Sequence, residues 1–100
     1  MEIIKRVVGK IDDELEDAQR YIRCAFKVRD EYPQLANTYY MLSLEEMKHV
    51  TMLHEQVVKI IEAYKQNNEV PESMQMLYDY LHERQIRKAA KIKGKQEQFK

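Results

Sequence analysis

Glu46 and His49 stand three residues apart in the run Leu44-Glu45-Glu46-Met47-Lys48-His49. On a helix, that spacing projects both side chains from one face. A carboxylate beside an imidazole on an inward face can coordinate a transition metal. The competing structural reading pairs the two groups with each other at the edge of a groove. Glu14 strengthens the first reading. It lies at the centre of an apolar stripe formed by Ile3, Val7, Ile11, Ala18, Tyr21 and Ala25. A charge in that position is expensive to bury unless it is paired or bound to a cation. Two inward carboxylates on facing antiparallel helices, one accompanied by a His, fit the ligand set of carboxylate-bridged di-iron bundles.

The elements that must position these groups are read from two prolines. Tyr32-Pro33 and Val70-Pro71 cut the chain into three segments. A residue before Pro is pushed out of the helical region, whereas Pro suits the first turn of a helix. Helices are therefore predicted over about 2–29, 33–66 and 71–94. The second would be roughly 50 Å long. Its apolar stripe is centred on Glu46: Leu35, Tyr39, Leu42, His49, Val50, Leu53, Val57, Ile60, Ile61 and Tyr64 all fall within roughly 60° of it. In the first helix a flanking stripe of Ile4, Val8, Leu15, Ile22 and Phe26 widens the apolar arc, so two neighbouring helices are expected to cover it. Gly9 weakens this helix by up to about 1 kcal/mol, so its ordered part could begin near Asp12. In the third helix, Met74, Leu77, Leu81, Ala89 and Ile92 could face a core, with Tyr78, His82 and Gln85 at its edge.

One hundred residues with only two Gly and two Pro lack the turn residues that a small β-sandwich or barrel needs. The expected class is all-α, in one domain spanning 1–100. Seventeen basic residues balance seventeen acidic ones. A single Cys excludes an intramolecular disulfide framework. No apolar run approaches the roughly 18 residues of a membrane span, and the first residues lack the apolar core of a signal peptide. The expected location is cytoplasmic, with no membrane partner. Charge is uneven along the chain. The tail 84–100 carries seven basic residues and one acid, whereas residues 1–83 carry ten basic and sixteen acidic ones. The tail is read as a solvated, partly frayed end. Nucleic acid is not expected as a partner, because no stacking aromatics or DNA-binding motif accompany the tail.

The stretches Glu14-Leu15-Glu16-Asp17-Ala18-Gln19-Arg20-Tyr21 and Leu44 to His49 resemble the ferritin-like superfamily, especially rubrerythrins and encapsulated ferritins. The shared pattern is a Glu followed seven residues later by Tyr, then E-x-x-H about thirty residues on. Here Glu14 precedes Glu46 by 32 positions. The resemblance covers about residues 11–65. It implies Glu14, Glu46 and His49 as metal ligands, with Tyr21 just behind them. It also implies a di-iron cofactor, although other divalent metals suit the same donors. Iron oxidation, peroxide removal and simple iron holding are all compatible with it. The departure from the family is that a ferritin-like bundle carries two copies of the pattern in four helices. Here the residues three after Glu55, Glu62, Glu72 and Glu83 are Val58, Lys65, Gln75 and Ile86. The chain holds half a site. Encapsulated ferritins resemble it in this respect, since they pair two short chains. The expectation is a helical hairpin plus a third helix, completed as a four-helix bundle by homodimerisation or in a larger even assembly. An encapsulin-targeting tail is not expected after the third helix, because residues 93–100 are polar and basic.

Other candidates are weaker. Glu16 lies about 200° from Glu14 and should face solvent. His54 sits on the flank of its stripe, and His82 could approach the site from the third helix; for both, a structural role is the leading reading. Cys24 is expected as a buried thiol. Met41, Met47, Met52, Met74 and Met76 are expected to fill gaps or contact other helices. The alternative to the di-iron protein is a metal-free helical interaction module whose apolar stripes serve assembly.

Overall fold

Three α-helices form in the computed structural model, which describes residues 2–67 and 70–100. They are α1 (Glu2–Val28), α2 (Pro33–Asn67) and α3 (Glu72–Phe99). Positions 68 and 69, within the predicted second connection, lie outside the described residues. No strand occurs among the described residues, and none of the described helices is long and apolar enough to cross a membrane.

α1 runs unbroken through Gly9 rather than beginning near Asp12. Gly9 faces solvent, and a Cβ there would meet nothing within 4 Å. Its cost of about 1 kcal/mol is smaller than the roughly 1.5–3 kcal/mol contributed by burying one neighbouring Ile or Val. Ile4, Val8 and Ile11 are all buried around it. The first turn closes with the Tyr32 N–H donating to the Val28 carbonyl at 2.7 Å. The Tyr32 carbonyl then accepts from Ala36 at 2.9 Å, and Pro33 opens α2 at the position that needs no N–H. At the second Pro the helix begins one residue later than expected. Pro71 is the cap, and its carbonyl accepts from Met74 and Gln75 at 3.0 and 3.1 Å.

α1 and α2 pair antiparallel. Ala18 meets Ser43 and Tyr21 meets Tyr39, so partners advance on one helix as they retreat on the other. Small buried residues line this seam: Ala18, Ala25, Ala36 and Ser43. They let the backbones approach closely enough for the Ser43 hydroxyl to donate to the Ala18 carbonyl at 2.7 Å. α3 lies along α1 in the same direction, with Gln85 against Val8 and Phe99 against Phe26. The result is a rod of 56 × 18 × 18 Å. Its core is built on Ile11, Leu15, Val57 and Ile92.

The expected frayed basic end is not observed. α3 continues to Phe99, past the predicted limit near 94. The Phe99 ring packs edge-on against Phe26 at 5.4 Å and stacks on Tyr40 at 5.1 Å, with the Arg29 guanidinium over Phe26 and Phe99. One turn earlier, the buried Gln96 amide donates to the Ser43 hydroxyl at 2.9 Å. Gln85, expected at an edge, is also buried. Its amide donates to the Val8 carbonyl at 3.0 Å and to Asp12 Oδ1 at 2.9 Å. Leu77, expected to face the core, is largely exposed.

Candidate metal centre

The antiparallel pairing of α1 and α2 brings Glu14, Glu46 and His49 together. One ligand atom from each lies within 4.8 Å of the others. His49 Nδ1 is 3.3 Å from Glu14 Oε2 and 3.8 Å from Glu46 Oε1. With the proton on Nδ1, the imidazole donates to Glu14. With Nδ1 bare, three lone-pair atoms converge on one point. Glu14 is only 8% exposed. The Glu46 side chain is largely covered, while that of His49 is 47% exposed and forms the open side.

The two carboxylates are not equally satisfied. Glu14 Oε1 has Lys10 Nζ at 3.4 Å, one helical turn away. Glu46 Oε2 is buried and has no hydrogen-bond partner among the described residues. A buried carboxylate oxygen without a donor costs about 1–3 kcal/mol or more, and a cation between the three side chains would remove that cost. The donor set of two hard carboxylates and one imidazole suits iron, zinc or manganese better than a soft ion. Cys24 is a free, half-buried thiol outside this group, less covered than expected.

The centre opens away from α3. On α1, α3 touches Val8, Asp12 and Glu16 through Gln85 and Lys88. Asp12 and Glu16 lie about 160° around the helix from Glu14. Glu16 is thus on the far side, exposed, and paired with Lys88. That hydrogen bond, reinforced by the lysine charge, holds its carboxyl below the usual range. On the side of the centre the apolar stripes remain bare. Ile3 is 49%, Leu35 43% and Leu42 38% exposed, and each lies within about 40° of Glu14 or Glu46 on its own helix.

Tyr21 sits about two turns along from Glu14. Its ring leans on Tyr39 with centroids 6.2 Å apart, and among the described residues no hydrogen bond joins it to the three candidate ligands. His54 and His82 do not join the centre either. Their rings stack almost parallel at 4.5 Å across the α2–α3 seam, and Tyr78 extends the stack at 5.5 Å from His82. Helical phase on one helix does not show which residue a neighbouring helix presents, so this stack was not legible in the sequence. Lys10 was also missed, although its spacing of four from Glu14 was available as a signal.

Burial of His82, and secondarily His54, pushes the His82 imidazole below its ordinary value of 6.5, against the opposing charge of Asp79. The unfolded chain therefore takes up this proton more readily than the folded one. Stability rises with pH in that window and is lost as pH falls through 6.5. The metal-free chain should show a modest fall in melting temperature between pH 7.5 and 5.5. His82→Phe should flatten that fall. An unchanged pH profile in the variant, followed by circular dichroism, would assign the sensitivity elsewhere.

No protein-family model, no curated protein and no solved structure matches this chain. Fold and centre define an all-α, three-helix rod in which two carboxylates and an imidazole converge on a place that could hold a metal ion.

Proposed function

We propose that this chain is a ferritin-like di-iron carboxylate protein of the cytoplasm whose centre is completed by a second copy of itself. The observation that carries the reading is the buried Glu46 Oε2, unpartnered among the described residues, beside Glu14 and His49. Three protein ligands from one chain make half of the six that a di-iron bundle uses. The half-centre lies on the helix face that α3 leaves open, flanked by the exposed Ile3, Leu35 and Leu42. A two-fold axis through that face would cover those side chains and set each ligand group against its copy. Two Glu14, two Glu46 and two His49 would then gather in one four-helix core.

Bound iron would supply one-electron chemistry toward dioxygen or peroxide. The chain's own part is to hold and shield. Glu14 and Glu46 offer hard anionic oxygens, which favour the more highly charged oxidation state. His49 adds a directional donor at the open side. Lys10 supplies a resident positive charge to Glu14, which an incoming metal would have to displace. Because its Lys10 end is largely exposed to water, the pair contributes about 1 kcal/mol.

The test combines native mass with elemental analysis. At micromolar concentration the chain should run as a dimer or larger even assembly and carry about two iron ions per pair after anaerobic loading. A mass near 12.1 kDa at every concentration, with or without iron, removes the shared centre. An assembled but metal-free particle would instead favour the interaction module, whose apolar face serves association alone.

A further inference from the structure

On the other side of the molecule, α1 and α3 bound a groove of about 510 Å³. That volume lies in the range of small-molecule sites, about 300–1,000 Å³. Phe26 gives it an apolar wall above the buried Ile22 and Ile92, and Arg23, Lys91 and Lys95 stand around it with their aliphatic stems. Among the described residues no carboxylate lines it. None of the three cations is in an ion pair among the described residues, nor are Arg84 and Lys93 of α3, whereas Arg87 and Lys88 of that helix are.

Gly94 completes the wall. It lies inside α3, where Gly costs about 1 kcal/mol relative to Ala. Neither backbone nor packing requires it: no glycine has positive φ, and a Cβ at this position would meet nothing within 4 Å. What its missing side chain does is leave the groove open. Lys91, Gly94 and Lys95 share one face of α3, and Ile22, Arg23 and Phe26 share one face of α1, both at helical spacing.

We propose that this groove binds an amphipathic anion, namely a single aliphatic chain ending in a carboxylate. The chain would lie along Phe26 and the aliphatic stems of Arg23, Lys91 and Lys95, above the buried Ile22 and Ile92, and the carboxylate would meet the guanidinium and the two ammonium groups. An apolar wall has no counterpart in a nucleic acid backbone, and a neutral lipid would leave the three cations without a partner.

The test is calorimetric titration of metal-free protein with sodium decanoate below its micelle-forming concentration. One decanoate should bind per chain. Decanol, lacking the charge, should bind about tenfold more weakly or worse, and decylammonium not at all. Gly94→Leu should fill the groove and lower decanoate affinity by about tenfold or more with helical content unchanged. Lys91→Gln with Lys95→Gln should lower it by a similar factor. Glu46→Leu should leave it unaltered, which separates this site from the metal centre. Equal binding of decanoate and decanol would overturn the proposal. So would undiminished binding to Gly94→Leu, or decanoate-induced amide shifts centred on Leu35 and Leu42 rather than Ile22 and Ile92. Binding to phosphatidylglycerol vesicles without any binding of decanoate would identify a membrane surface instead, and would equally reject it.

Discussion

Glu46→Leu should abolish stoichiometric iron binding and, in the metal-free chain, raise the melting temperature. Both effects follow from one atom. Glu46 Oε2 is buried with no donor among the described residues, so the metal-free fold carries a desolvated, unsatisfied carboxyl group that Leu of similar size would replace with packing. Removing such a group is worth about 1 kcal/mol or more. For a chain of this length that corresponds to about 4–8 °C. Glu14→Ala and His49→Ala should also abolish iron binding, yet neither should stabilise. Glu14 is held by Lys10 and His49, and His49 is half open to water. Glu16→Ala is the internal control. It faces the opposite side of α1 and pairs with Lys88 on α3, so iron stoichiometry should survive. Iron titration of the four variants, read beside their metal-free melting curves, gives both outcomes together. Retained binding in Glu46→Leu, or loss of it in Glu16→Ala, would discard this ligand assignment.

The helices were legible because apolar periodicity and two prolines are local signals. Pro33 and Pro71 mark the starts of α2 and α3 to within a residue. The grouping of Glu14, Glu46 and His49 was legible for a related reason: a carboxylate centred in an apolar stripe announces itself against that background. What escaped was polar packing. Gln85, Gln96 and Ser43 are buried through hydrogen bonds to one another or to backbone, and a pattern counted in apolar residues scores them as surface. The end of α3 was therefore placed too early, although Ile92, Gln96 and Phe99 repeat at helical spacing. The side of the hairpin that α3 covers was equally hidden. It depends on the interhelical pairs Gln85–Asp12 and Lys88–Glu16, which no single-helix phase encodes. That choice of side matters most for function. It leaves the carboxylate face bare and closes the opposite one.

Iron(II) should stabilise the fold and the pairing of chains at once. The three ligands come from two helices, so an unfolded chain does not hold them together. In the proposed pair the six ligands come from two chains, so a separated chain offers only half the donors. Metal that binds the assembled state alone shifts both equilibria by mass action. At a free metal concentration of about 100 times the dissociation constant, one site adds about 2.7 kcal/mol. That corresponds to a rise in melting temperature of roughly 10–20 °C for a chain of this size, well above what any one surface ion pair supplies. Two features separate this from a general salt effect. The rise should disappear in Glu46→Leu, and it should shrink as pH falls and protons compete for the carboxylates and imidazole. Dimer dissociation followed by light scattering should move in parallel, with anaerobic iron(II) extending the paired state to lower protein concentration. A melting temperature that iron(II) leaves unmoved, on chains that nonetheless pair, would assign the apolar face to association and leave the buried Glu46 oxygen without a cation to explain it.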